Sequence, residues 1–267
     1  MNAVQMAVVD GVTIAKRNVI KIKRVPDLLV FTIMSPIMFV LLFAYVFGSV
    51  IDMPGISYRE FLIAGIFTQT VIFGGTWTGL GLAEDLQKGI IDRFRSLPMS
   101  PAAVLVGRTA SDIIINVISL VAMALTGLLV GWRIRTSFWE AAAGFALLVL
   151  FAYAFSWVMA VVGLWIRTPE IYNNAVFMVT FPLTFIANTF ANSAEFPTVL
   201  RHIADWNPVS ALTQAVRELF GNTSPDVPIS DAWPIQNAEL ASLLWMAVML
   251  IVFVPLAIWR YQKAVSR

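Results

Sequence analysis

The segment AAAGFALLVLFAYAFSWVMAVVGLWI, residues Ala141–Ile166, contains no aspartate, glutamate, lysine or arginine. A helix needs about 20 apolar residues to cross the ~30 Å hydrocarbon core of a bilayer, and this segment exceeds that length. It lacks the alternating pattern of about ten residues that marks a barrel strand, and backbone groups in lipid must be hydrogen-bonded internally. We therefore predict a transmembrane helix here.

Five other segments of about 20 residues or more also lack aspartate, glutamate, lysine and arginine. The composition agrees, because 59% of the 267 residues are hydrophobic and only 13% are charged, about half the charged fraction of a soluble domain. Cysteine is absent, which excludes disulfides, thiol nucleophiles and thiolate metal sites. The predicted fold class is all-α integral membrane, with six transmembrane helices at Leu28–Ile51, Phe61–Ala83, Ile113–Trp132, Ala141–Ile166, Ile171–Ala194 and Leu240–Trp259.

Lysine and arginine predict the orientation, because the cytoplasmic loops of membrane proteins carry an excess of them. If the N-terminus is cytoplasmic, thirteen of these residues lie on that side. Five lie on the other side: Arg59, Arg133, Arg135, Arg201 and Arg217. We therefore predict a multi-pass protein of the cell (plasma or inner) membrane with both termini in the cytoplasm.

The residues before the first span form an apolar stripe at helical spacing. Its members are Val8, Val12, Ala15, Val19 and Ile22. The stripe predicts an amphipathic helix in the cytoplasmic headgroup region, and a simple anchor of positive charge is the alternative. The expected domains are this N-terminal helix at 1–27, a six-helix transmembrane domain at 28–259 and a cytoplasmic tail at 260–267.

About 45 residues separate the fifth and sixth spans, too many for a plain connection. Asn207 and Pro208 suit the N-cap and first position of a helix, and Gly221 suits its end. Pro182 lies inside the fifth span, whose outer end is polar. We expect the chain to break, dip or lie flat at the outer leaflet, with short outer or re-entrant helices.

Several kinds of site lack their residues. The chain has no phosphate-binding loop of the Gly-x-x-x-x-Gly-Lys-Ser/Thr type and no Gly-x-Ser-x-Gly elbow. His202 is the only histidine, which excludes paired-histidine metal motifs and is expected on the surface of the outer loop. No carboxylate falls inside the charge-free spans, whereas ion-driven carriers usually keep one there. We expect no catalytic residue, no metal and no cofactor in this chain.

The loop between the second and third spans faces the cytoplasm in this topology. We expect a helix from the second span to about Ser96, ended by Pro98, and a new helix from Ser100 and Pro101. Apolar residues near the bend are rimmed by charges, which is the pattern of a docking element. A merely solvated loop is the alternative. The apolar residues are Phe94, Leu97 and Met99, and the rim is Asp92, Arg93 and Arg95.

This loop resembles the cytoplasmic loop of type-2 ABC exporter permeases, the class that includes daunorubicin-resistance membrane subunits. The matching positions are Glu84, Gly89, Arg93, Arg95, Ser96, Pro98, Pro101, Gly107, Arg108 and Asp112. The sequences FGS at Phe47–Ser49 and NPVSALTQAVREL at Asn207–Leu219 are similar to two further marks of that family. The resemblance covers almost the whole chain.

The resemblance implies the permease half of an ATP-driven exporter. Two copies of a separate ATPase subunit would bind ATP and magnesium, and a second permease chain, identical or a paralogue, would complete the pathway. Membrane lipid and a hydrophobic substrate are the other partners implied, and nucleic acid is not. The residues expected to couple to the ATPase are Glu84, Asp85, Gly89, Arg93, Phe94, Arg95, Leu97, Pro98, Met99 and Arg108.

In that family the second and fifth spans face the centre of the pathway. The candidate cargo-facing residues are then Gln69, Phe73 and Thr76 on the second span, and Phe177, Thr180, Phe181 and Thr184 on the fifth. Aromatic and hydroxyl surfaces suit an amphipathic, largely apolar cargo. Ordinary helix packing, in which threonines hold spans together, is the alternative.

The expected function is export of a hydrophobic drug or antibiotic by alternating access. Export of a lipid, glycolipid or cell-envelope precursor is the first alternative, because the same architecture serves both. An ion-driven carrier or a membrane enzyme is the alternative from another class, and the missing residues weigh against it.

Overall fold

The computed structural model describes residues 26–48, 50–51, 53–90, 101–166 and 168–265. Every regular element in these residues is a helix, which confirms the all-α prediction. The predicted amphipathic stripe from Val8 to Ile22 lies outside the described residues. The helices are α1 (Pro26–Leu42), α2 (Tyr58–Gln87), α3 (Pro101–Leu129), α4 (Phe138–Trp165), α5 (Pro169–Phe185), α6 (Thr198–Asp205), α7 (Pro208–Phe220), α8 (Trp233–Gln236) and α9 (Ala238–Val265).

Among the described residues, four helices are long and apolar enough to cross a membrane. These are α2, α4, the Val104–Leu129 part of α3 and the Ala238–Lys263 part of α9. The predicted first and fifth spans correspond to the shorter helices α1 and α5, each of 17 residues. α1 continues directly into a π-helix at Phe43–Phe47, which lengthens its apolar stretch. The protein is thus a multi-pass membrane protein.

The helix α5 ends before the predicted limit of the fifth span at Ala194. Pro182 lies in its last turn and has no backbone N–H to continue the hydrogen-bond ladder. The side-chain NH2 group of Asn207 donates hydrogen bonds to the backbone carbonyls of Leu183, at 2.8 Å, and Ile186, at 2.9 Å. Asn207, at the N-cap of α7, therefore provides hydrogen bonds to backbone carbonyls at the C-terminal end of α5.

The predicted caps of α7 are confirmed. The side chain of Asn207 accepts a hydrogen bond from the backbone N–H of Val209 at 2.9 Å, and Pro208 is the first helical residue. Gly221 ends the helix with φ of 69°, the left-handed conformation that glycine adopts without strain. The short helices α6 and α7 lie between α5 and α9 along the chain, in the region where the sequence predicts short helices.

The segment that follows α2 differs from the prediction. A helix to about Ser96 was expected, but α2 ends at Gln87. Gly89 adopts φ of 64°, and a left-handed residue there turns the chain out of the helix. Pro101 is the first residue of α3, in agreement with the expected first-turn proline.

The helix α2 lies at the centre of the bundle and packs most extensively against α4, with further contacts to α3, α5 and α7. Two glycines allow α2 and α4 to approach closely, since a Cβ atom at Gly163 would overlap the carbonyl of Gly79. Small residues at helix interfaces are a common means of close packing in membranes. The hydroxyl of Tyr172 on α5 donates a hydrogen bond to the carbonyl of Thr76 on α2 at 2.7 Å. This bond holds α5 against α2 about one turn from Gly79.

Candidate functional site

A cavity of about 590 Å³ lies between α1, α2 and α5, with one residue of α3 at its margin. This volume is within the range of ~300–1,000 Å³ that small-molecule sites occupy. The cavity is lined by Ser35, Pro36, Phe39, Ile66, Gln69, Thr70, Phe73, Gly74, Thr76, Trp77, Ser119, Phe177, Phe181 and Phe185.

Five of the seven residues predicted to face cargo line this cavity: Gln69, Phe73, Thr76, Phe177 and Phe181. The other two, Thr180 and Thr184, are fully buried on a different face of α5. Their hydroxyls donate to the carbonyls one turn earlier, at 2.8 Å and 2.9 Å. Those two threonines are therefore buried inside the bundle and do not line the cavity.

The cavity wall is aromatic and uncharged. None of its lining residues is aspartate, glutamate, lysine or arginine. The hydroxyls of Thr70 and Thr76 donate to backbone carbonyls of α2, at 2.8 Å and 2.6 Å, and so offer mainly acceptor atoms to a ligand. Phe177 and Phe181 are more than two-fifths exposed. The wall can therefore hold a largely apolar molecule through ring contacts and a few neutral hydrogen bonds.

The contribution of α1 to this cavity was missed in the sequence. Ser35, Pro36 and Phe39 lie on one side of α1 and face α5 across the cavity. Their spacing of three and four residues is that of one helical face. Such spacing occurs on any span, so nothing in the pattern alone assigns it to a site.

A polar cluster lies where the second half of α2 packs against the first half of α3. Arg108 on α3 approaches the carboxylates of Asp85, at 3.9 Å, and Asp112, at 3.7 Å. Asp112 also accepts a hydrogen bond from the hydroxyl of Thr78. A Cβ atom at Gly81 would overlap the Arg108 guanidinium, so glycine provides the room for it. The cluster joins the two helices that flank the loop.

The predicted coupling residues divide between this cluster and the surface. Arg108 and Asp85 belong to the cluster, whereas Glu84 forms a more exposed pair with Lys88 at 3.1 Å. Gly89 forms the turn after α2. The remaining six lie outside the described residues: Arg93, Phe94, Arg95, Leu97, Pro98 and Met99.

The predicted third span begins at Ile113, directly after Asp112, because spans were defined as segments without charged residues. In the structure α3 already begins at Pro101, and Asp112 is 4% exposed within it. A buried carboxylate requires partners, and Arg108 and Thr78 supply them. The sequence did not predict that Asp112 is buried and paired.

Arg217 was assigned to the outer loop as a topology signal, but it is buried on α7. Its guanidinium lies 3.4 Å from the ring centre of Phe61 and donates to the carbonyls of Phe61, at 3.0 Å, and Thr189, at 3.1 Å. Burial lowers the pKa of Arg217 to about 9, which leaves it a cation at neutral pH. It holds α7, the start of α2 and the segment after α5 together. His202, in contrast, is exposed as predicted.

Residues 11–220 match the family described as ABC-2 type transporter. The match covers well over half of the chain. This protein belongs to the ABC-2 type transporter family. The resemblance stated from the sequence is thus confirmed, and the polar cluster and the cavity are features of an ABC-2 family protein.

Individual relatives agree with this assignment. The ABC-2 chain is 31% identical over 208 residues to the "Daunorubicin resistance ABC transporter permease protein DrrB1" of Streptomyces coeruleorubidus, covering 78% of this chain and 74% of that protein. It is 24% identical over 240 residues to the "Putative transport permease ycf38" of Porphyra purpurea, covering 86% of this chain and 82% of that one. These relatives are named as transport permeases, not as enzymes.

We predict that Asp112→Ala destabilises this ABC-2 protein by about 3 kcal/mol, because it removes the more deeply buried of the two carboxylates that pair with Arg108 and the acceptor of the Thr78 hydroxyl. The measurement is the midpoint of thermal unfolding in detergent. Glu84→Ala is the matched control, since it removes a carboxylate from a more exposed pair worth less than about 1 kcal/mol. Equal midpoints for the two variants would contradict the assigned role of Asp112.

Proposed function

We propose that this chain is the membrane subunit of an ATP-driven exporter that moves hydrophobic or amphipathic compounds out of the cell by alternating access. The observation that carries the proposal is the uncharged aromatic cavity between α1, α2 and α5. Its size suits a drug-sized molecule, and its wall offers ring surfaces with few polar groups.

The position of the cavity supports transport through the bundle. It is formed by the central helix α2 and by two helices, α1 and α5, whose outward faces are exposed. Phe177, Met178 and Phe181 on α5 form an exposed apolar strip beside the opening. We propose that a second permease chain, a copy or a paralogue, packs beside this strip and completes the pathway.

The energy source in this proposal is a separate ATPase, present in two copies. The chain has no phosphate-binding loop of its own. Closure of the ATPase dimer on ATP would move the cytoplasmic loop, which is flanked by α2 and α3. Arg108, Asp85 and Asp112 join those helices, so a push on the loop would move both together rather than bend one. ATP and magnesium would be bound by the partner.

The proposed topology has both termini and the loop after α2 in the cytoplasm, as the distribution of lysine and arginine favours. The end of the bundle where α2 begins then faces outward. We call it the distal end, and the end next to residues 88–101 the loop end.

Export of a lipid or cell-envelope precursor is the second candidate, because a neutral apolar cavity suits acyl chains as well as a drug. An ion-driven carrier is less well supported. Its best residue would be Asp112, but that carboxylate is paired with Arg108 and does not line the cavity.

The cavity is tested by Phe181→Ala and Gln69→Leu in the reconstituted complex, with ATP-dependent movement of a fluorescent anthracycline as the measurement. We predict an increase in KM of up to about tenfold for Phe181→Ala, the factor that one aromatic contact supplies. Thr180→Val is the control, because Thr180 lies on the same helix away from the cavity. A labelled lipid in parallel separates the two cargo classes. Unchanged KM in both cavity variants, for both cargoes, would contradict the cavity assignment.

The coupling loop is tested by combining Phe94→Asp with Leu97→Asp. We predict that the tagged double variant inserts in the membrane but no longer co-purifies with an ATPase subunit, because charge replaces the apolar docking residues. Phe138→Asp, an exposed aromatic at the distal end, is the control and should retain the ATPase. A double variant that still binds the ATPase and transports normally would count against the docking role.

A further inference from the structure

Phenylalanine rings form an unbroken series from the cavity to the distal end. On α5, Phe177 contacts Phe181 with ring centroids 5.2 Å apart, and Phe181 contacts Phe185 at 4.2 Å. Phe185 then contacts Phe190, at 4.8 Å, in the segment after α5. Phe190 stacks on Phe43, in the π-helix that continues α1, also at 4.8 Å. The series therefore bridges from α5 to α1.

The last rings of the series lie beyond the cavity. Phe39 and Phe185 line the cavity, whereas Phe43 and Phe190 follow them toward the distal end and do not line it. Phe39 and Phe43 are stacked at 5.8 Å, so the two sides of the cavity converge on the pair of Phe43 and Phe190. The rings of Phe43 and Phe190 therefore lie next to the cavity on its distal side.

The backbone on both sides of this closure departs from the α-helix. Phe43 lies in the π-helix at Phe43–Phe47, and short π-helical segments are frequent at functional sites. Phe190 lies after the end of α5, where no helical ladder fixes it. Its carbonyl accepts a hydrogen bond from the hydroxyl of Tyr58 at 3.0 Å, which ties it to the start of α2. Neither Phe43 nor Phe190 is therefore held in a regular α-helical ladder.

We propose that Phe43, Phe185 and Phe190, which we call the aromatic seal, are the outward gate of the cavity. The inference rests on the proposed function and adds the residues that close the pathway. Stacked apolar rings exclude water and ions, as hydrophobic constrictions do in channels. An aromatic cargo that reaches the seal replaces ring–ring stacking with ring–cargo stacking, so opening costs less for such a cargo than for water. The seal therefore favours aromatic and strongly apolar compounds.

The first test uses a cysteine placed in the cavity. The chain has no cysteine, so Thr76→Cys gives a single reporter. Its reaction with a membrane-impermeant thiol reagent is measured in intact cells and in inside-out vesicles, with the ATPase subunit present. We expect Phe190→Ala to raise the rate from the distal side by about two- to tenfold, the factor for one aromatic pair. The rate from the loop side should not change.

Two further variants separate a seal from general damage. Phe190→Leu retains apolar bulk without stacking and should give a rate between those of the parent and the alanine variant. Phe138→Ala removes an exposed aromatic at the distal end outside the series, and should leave the rate unchanged. Equal rates in the parent and in Phe190→Ala would overturn the seal, as would equal increases from both sides of the membrane.

The second test locks the seal. Phe43→Cys combined with Phe190→Cys is joined by a short thiol cross-linker, and transport should stop until the link is cleaved by a reductant. Val121→Cys with Leu125→Cys is the control, because both exposed positions lie on one face of α3 outside the cavity and the seal, so a link between them spans no gate. Normal transport by the linked pair of positions 43 and 190 would overturn the seal.

The two tests distinguish a failure of the seal from a failure of the proposed export function. Thiol labelling needs neither a known cargo nor ATP hydrolysis, so a change confined to the distal side supports the seal even if the exported compound is misassigned. Retained transport with unchanged labelling would instead refute the seal and leave the proposed export intact.

Discussion

The close approach of α2, α4 and α5 at Gly79 is the contact on which the other features depend. A Cβ atom at Gly79 would overlap both the carbonyl of Met159 and the hydroxyl of Tyr172. Glycine thus lets α2 sit against its neighbours, and Tyr172 fastens α5 to α2 through the carbonyl of Thr76. With α2 held there, its C-terminal end leads to the loop before α3 and its middle forms the cavity wall. A displacement of α2 would alter both.

Two clusters of buried polar groups also hold α2 in position. In a low-dielectric interior a charge is stable only with partners. Asp112 meets Arg108 and Thr78 at the loop end, and Arg217 meets two carbonyls and an aromatic ring at the distal end. These clusters hold the two ends of α2 in place. The cavity between them contains no charge in its lining, which leaves that region available to an apolar molecule.

The sequence predicted the helical class, the caps of α7 and the start of α3, because apolar length, proline and glycine act locally. Five of the seven residues that it predicted to face cargo, chosen by their spacing on α2 and α5, line one cavity. It missed the part of α1 in the cavity and the burial of Asp112 and Arg217, since these depend on which helices are neighbours. The early ends of α2 and α5 were missed because a left-handed Gly89 and tertiary bonds from Asn207 override helical pattern.

The central claim, that ATP hydrolysis by a partner drives cargo through this chain, is tested by uptake into inside-out vesicles containing the permease with its ATPase. A fluorescent amphipathic compound should accumulate only with ATP. Accumulation should persist when the proton gradient is collapsed and stop when the phosphate-loop lysine of the ATPase is replaced. Accumulation that follows the proton gradient while the ATPase is inactive would contradict the account.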